Sequence, residues 1–165
     1  MYMQSFTHIF NVVLTFGTLI TLGVTLLVVY LFFFDTSRYT RYQSTYALRI
    51  IMGVSFFAMM ASLVYSLVIG FPPCDLCWYQ RVFMYGIFFI SLTALCKKDI
   101  LASVFPYLKT FIGIGFIIAL YHTIVYYVGF NPLPCSTDVS CTARYVFEFG
   151  FMTIPLMSLV SFVFL

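Results

Sequence analysis

Between Ile9 and Phe34 the chain runs for 26 residues without an acidic or basic side chain, and from Thr110 to Thr137 it runs for 28 interrupted only by His122. A third such run, Ile50 to Cys74, has 25 residues. A helix needs roughly 20 mostly apolar residues to cross the hydrocarbon core of a bilayer, so each of these runs is long enough alone. Val82 to Cys96, with 15 residues, and Phe149 to Leu165, with 17, reach that length once Tyr79, Gln80, Val146 and Phe147 are included. Lipid offers the backbone no hydrogen bonds, so only helices and closed barrels span it, and continuous rather than alternating apolarity selects helices. The expectation is an all-α membrane protein with five spanning helices. Only 8% of the residues are charged, against about 25% in a soluble domain, too few for a water-facing surface. The first run has no basic leader and far exceeds the roughly 7–15 apolar residues of a signal peptide, so it reads as a retained helix.

Six of the eight basic residues occupy alternate loops, Arg38, Arg41 and Arg49 in one and Lys97, Lys98 and Lys109 in the other. Positive charge collects on the cytoplasmic side, which puts the amino terminus outside and Leu165 inside. The loops carrying Cys74/Cys77 and Cys135/Cys141 then lie outside, where disulfides form and persist. Cys96 falls at the cytoplasmic end of the third helix and reads as a reduced bystander. No nucleic-acid partner is expected.

Pro72 and Pro73 end the second helix, since neither donates a backbone hydrogen bond; the third is expected to begin near Cys77 or Trp78. Pro155 is expected inside the final helix, kinking it, with Glu148 as a structural charge at that helix's start. A helix start favours a thiolate at Cys77, and Arg81, four residues on, shares its face. Asp75 opposes ionisation of its neighbour Cys74, which leaves Cys77 as the expected thiolate. Taken alone, a C-x-x-C is also compatible with a structural bridge, Arg81 merely snorkelling to headgroups. The second pair shifts the balance. A disulfide closing so short a loop as Cys135–Cys141 contributes little through chain entropy, whereas a short exposed bridge exchanges readily. Two dithiols on one side of a membrane form a relay, one meeting soluble partners and the other a lipid-soluble acceptor. A disulfide-braced or metal-handling scaffold is the alternative; zinc pairs are typically spaced by two to four residues, the second pair by five, and no metal is expected. His122, about two turns into the fourth helix from its outer end, is ionisable at membrane depth, which marks a functional candidate. It and Arg81 could each donate to a quinone carbonyl.

The segment Pro73-Cys-Asp-Leu-Cys-Trp-Tyr-Gln-Arg81 resembles the signature of the disulfide bond formation protein B family, DsbB, and Pro134-Cys through Pro155 resembles its short-looped, BdbC-like branch. The resemblance implies a four-helix bundle in a bacterial plasma membrane, over residues 48–165. It reoxidises an extracytoplasmic thioredoxin-fold thiol oxidase (DsbA- or BdbD-like) and reduces menaquinone or ubiquinone. By motif position it implies that the partner's thiolate attacks Cys135, that Cys141 pairs transiently with Cys74, and that Cys77 contacts the quinone near Arg81 and His122. Residues 1–47, an extra transmembrane helix and a cytoplasmic loop, have no counterpart in that core.

Overall fold

The computed structural model describes residues 2–34, 43–97, 103–129, 141, 145–147 and 149–165. Five α-helices carry the fold: α1 (Tyr2–Phe34), α2 (Gln43–Leu63, continued by a single π-helical turn, Val64–Val68), α3 (Asp75–Cys96), α4 (Phe105–Val128) and α5 (Ile154–Phe164). Four of them contain apolar spans long enough to cross a bilayer: Gln4–Leu27, Thr45–Val68, Asp75–Cys96 and Phe105–Val128. The architecture is that of an all-α, multi-pass membrane protein.

Two expectations about helix boundaries are corrected. The last helix has only 11 residues, or about 17 Å at 1.5 Å per residue, roughly half a hydrocarbon core. Upstream of it, Phe149 and Gly150 take positive φ, 53° and 79°, which ends any regular helix there. Thr153 caps α5, its side chain accepting from the Leu156 backbone N–H at 3.4 Å. Pro155 therefore stands in the first turn, where its missing N–H costs nothing and its fixed φ suits the helix; it opens the helix instead of kinking it. Glu148 lies outside the described residues. The second correction concerns α3, which starts at Asp75 with Cys74 as its N-cap, two to three residues before the expected place. Pro72 and Pro73 bar helix only upstream of Cys74, and an acidic residue in the first turn complements the positive helix end.

The centre of the bundle is a cluster that includes Leu48, Met84, Ile87, Leu108, Ala119 and Phe162, drawn from α2 to α5. Gly115 lets α5 approach α4 closely, since a Cβ there would stand 2.2 Å from the Phe162 ring. A second cluster, with Tyr65, Val146, Met152 and Met157, receives Phe10 and Leu14 from α1. Buried Asn11 of α1 accepts a 2.8 Å hydrogen bond from the Tyr65 hydroxyl. In an apolar solvent such a pairing positions a helix strongly, because neither group has water to fall back on.

Candidate functional site

The proline pair delivers Cys74 to the N-cap of α3, and one helical turn places Cys77 beside it. Their sulfurs are 2.8 Å apart and both thiols are free. Cys74 is buried and Cys77 partly exposed. From α4, His122 brings Nε2 to 3.8 Å from the Cys74 sulfur and 3.2 Å from the Cys141 carbonyl oxygen. Its Nδ1 lies 2.9 Å from Gln80 Nε2. A carbonyl oxygen only accepts, so Nε2 carries the proton; Nδ1 of the neutral ring is then the acceptor for the Gln80 amide. Both ring nitrogens are committed, and the ring is 98% buried. The buried imidazole thus ties the first cysteine pair to the main chain of the second cysteine loop.

The charge division differs from the sequence expectation. The sequence places the thiolate on Cys77; in the structure the donors gather round Cys74, whose pKa is lowered from 9.0 to about 5. The hydrogen bond from the Cys77 thiol is the largest cause, burial opposes it, and His122 adds to the lowering. The largest cause is the local C-x-x-C neighbour, whereas the imidazole that adds to it arrives from 48 residues away and leaves no local signal in the sequence. The two sulfurs share one proton, so ionisation belongs to the pair: Cys74 holds the charge while the more exposed Cys77 holds the hydrogen.

Arg81 is 91% buried. One guanidinium nitrogen donates to the Ser62 carbonyl at 3.0 Å, the charge lies 5.2 Å from the centroid of the Trp78 ring, and Nε has no hydrogen-bond partner among the described residues. It faces a cavity of about 470 Å³ that is also lined by Cys74, Cys77, Gln80, His122 and Cys141, within the size range of small-molecule sites. A largely apolar cavity with an unspent donor beside a thiol pair suits a flat, apolar ring bearing acceptor oxygens. Cys74, Cys77 and His122 also place their ligand atoms within 4.8 Å of one another, a soft set able to hold a metal ion such as zinc. The expectation of no metal considered cysteine spacing, and folding adds the histidine.

Of the remaining predicted residues, Cys141 is buried and disulfide-bonded, and Cys135 lies outside the described residues. Cys96 is free and exposed at the far end of α3, about 28 Å along the helix from Cys77. Gln80 is the site residue that sequence reasoning missed. Its signal was present, an amide three residues after Cys77 and next to Arg81 in a mostly apolar helix, but only the fold supplies its partner.

A family model for disulfide bond formation protein DsbB matches residues 44–165. The chain belongs to the DsbB family. Curated relatives agree. It is 44% identical over 124 residues to the SPbeta prophage-derived disulfide bond formation protein B of Bacillus subtilis, covering 74% of this chain and 82% of that one. Probable disulfide formation protein C 1 of Bacillus anthracis is 39% identical over 123 residues, 73% of this chain and 87% of its own. Disulfide bond formation protein C of Bacillus subtilis is 38% identical over 112 residues, 67% and 80%. No solved structure matches. Membership of the DsbB family makes the chain a protein-disulfide oxidoreductase with a role in disulfide formation, working with a thiol–disulfide oxidoreductase partner. α1 ends before the matched segment begins.

Proposed function

We propose that this protein oxidises the dithiol of an extracytoplasmic thioredoxin-fold oxidase and passes the electrons to a membrane quinone. The observation that carries the proposal is the shared cavity: a thiol pair, a buried arginine with an unspent N–H, and a histidine tied to the second cysteine loop all face it. The proposal keeps the division into residues 1–47 and a 48–165 bundle, with both cysteine loops outside a bacterial plasma membrane.

Atoms and electrons balance without a further reagent. The partner's thiolate attacks Cys135 of the Cys135–Cys141 disulfide and releases Cys141; the partner's second thiol then resolves the mixed disulfide, leaving the partner oxidised and both loop cysteines reduced. Cys141 attacks Cys74 of the Cys74–Cys77 disulfide, which frees Cys77, and Cys135 attacks Cys141, which frees Cys74. The loop disulfide is restored, and Cys74 and Cys77 carry two electrons more. Contact of His122 Nε2 with both the Cys74 sulfur and the Cys141 carbonyl supports this crossing. A bound quinone would accept two electrons from the pair and two protons, one from the Cys77 thiol by way of Cys74 and one from the aqueous side. Toward it, Cys77 presents the accessible sulfur, Cys74 takes the Cys77 proton across 2.8 Å, and Arg81 supplies a fixed donor. Once Cys74 has passed that proton on, His122 stabilises the thiolate that closes the disulfide again.

The test mixes purified protein, quinone and a reduced thioredoxin-fold protein and follows quinone absorbance. Quinone reduction that disappears in Cys77→Ser, with unfolding unchanged, is the expected result. Failure with both menaquinone and ubiquinone analogues refutes the proposal. A chain that binds zinc and is destabilised by Cys77→Ser favours the metal-handling scaffold.

A further inference from the structure

The cavity does not end at the thiols. On α2 its lining runs from Val54 to Tyr65, eleven residues or about 16 Å along a helix, toward the middle of the span. That length exceeds what a ring-sized acceptor fills. The wall closing this extension comes from α1, through Val13, Leu14, Gly17, Thr18 and Thr21, positions that recur every three to four residues and so form one helical face. The threonine hydroxyls are spent on their own helix, Thr18 on the Leu14 carbonyl and Thr21 on the Gly17 carbonyl, each at 2.8 Å. They leave an apolar lining. At Gly17 an added Cβ would meet no heavy atom within 4 Å, so the slot is open there.

Three contacts hold the wall in place independently of the slot. Asn11 accepts from the Tyr65 hydroxyl, the Phe10 ring packs edge-on to Tyr65, and Phe16 packs edge-on to Phe149. Thr15, fully buried, also lies on this helix. None of these α1 residues belongs to the segment that the DsbB family model matches.

We propose that α1 is the added wall of a slot for the polyisoprenoid tail of the acceptor, and that Gly17 sets how much tail the slot admits. The proposal rests on the quinone reading for the ring end of the cavity. A tail lying between α1, α2 and α5 touches this wall along its length, so binding gains from that contact as well as from the ring.

The experiment uses the full chain in proteoliposomes with two quinones of identical ring, one carrying a single isoprene unit and one carrying at least four. Gly17→Phe places a ring in the open slot, and the ratio of long-tail to short-tail KM is expected to rise about tenfold. Asn11→Leu, which releases the wall, is expected to bring that ratio toward one. Ile20→Phe, on a residue 66% exposed and outside the slot, is the control and leaves the ratio unchanged. A photoreactive group at the tail end is expected to label α1 peptides between Val13 and Thr21. An unaltered ratio in Gly17→Phe with melting unchanged, or label confined to other helices, overturns the proposal. If Gly17→Phe does not fold, the label alone decides. Wild-type protein that reduces neither quinone refutes the acceptor reading instead, a separate outcome.

Discussion

Replacing His122 by leucine tests the charge division at the cysteine pair quantitatively. The imidazole is the second of two donors to Cys74, behind the Cys77 thiol, so its loss raises the pKa part of the way back toward 9.0. A hydrogen bond to a charged group contributes about 1.5–3 kcal/mol. At 3.8 Å, with its proton shared with the Cys141 carbonyl, this one belongs at the low end, about 1.4 kcal/mol or one pK unit. Cys74 then moves from about 5 to roughly 6. The lowered folded value means that the thiolate is present above about pH 5 and is lost below it; the substitution moves that loss upward. At pH 5 the ionised fraction falls from about one half to about one tenth, while at pH 7.5 it stays above roughly nine-tenths. The more basic thiolate is about threefold more nucleophilic, from a Brønsted slope of about 0.4–0.5. Alkylation of Cys74 by N-ethylmaleimide, located by peptide mass spectrometry, is therefore expected to be about twofold slower at pH 5 and about threefold faster at pH 7.5 in His122→Leu. The crossing of the two profiles near pH 5.5 is the diagnostic. A variant that is faster at every pH has only been loosened, and superimposed profiles mean that His122 does not bear on Cys74; either refutes the assignment.

Gln80→Leu removes the group that fixes the imidazole tautomer, and ¹⁵N shifts of His122 are expected to change from a single Nε2–H form to a mixture; an unmixed Nε2–H signal refutes the role given to Gln80. Arg81→Met removes a charged donor worth about 1.5–3 kcal/mol, so kcat/KM for quinone is expected to fall roughly 10- to 100-fold while reduction of the loop disulfide by the partner keeps its rate. Gly115→Ala forces a methyl against the Phe162 ring, which is 98% buried, and overpacking of this kind costs about 1–3 kcal/mol. Gly86→Ala meets the partly buried Phe111 ring and is expected to lower the melting temperature less. Chelators are expected to leave quinone reduction unchanged, whereas added zinc inhibits the reduced protein through Cys74, Cys77 and His122.

Helices α2, α3 and α4 were legible because lipid leaves an apolar run few alternatives, and the proline pair marked the α2–α3 break to within three residues. α5 was misjudged because its start depends on two consecutive positive φ values and a threonine cap, features that hydropathy does not register. At the site, spacing revealed the C-x-x-C and its arginine, all on one helix. His122 was visible as an ionisable group in an apolar run, but its partners were not. They stand at residues 74, 80 and 141, brought together only by packing of α4 against α3 and the second cysteine loop. The expected thiolate at Cys77 failed because Asp75 and Arg81 were weighed as sequence neighbours, while the hydrogen bond that the Cys77 thiol gives Cys74, and the imidazole from α4, depend on the folded geometry.

The same geometry separates the two cysteines of the pair by experiment. If Cys141 exchanges with Cys74, then Cys77→Ser removes the group that resolves their disulfide, and Cys74 can attack Cys141 with release of Cys135. Cys74 and the Cys141 carbonyl meet at one nitrogen, so little main-chain movement is needed, and the anionic character of Cys74 makes it the attacking sulfur. Cys77 makes no hydrogen bond with His122 among the described residues, and in Cys74→Ser it has neither the His122 donor nor a neighbouring thiol. Non-reducing peptide maps of Cys77→Ser are therefore expected to contain a Cys74–Cys141 link with Cys135 free. Cys74→Ser is expected to give the corresponding Cys77–Cys141 link at less than about one-tenth of that yield, a difference of some 1.4 kcal/mol or more in the exchange equilibrium. Equal yields mean that the two sulfurs are interchangeable toward the loop, and then His122 cannot be what directs the exchange.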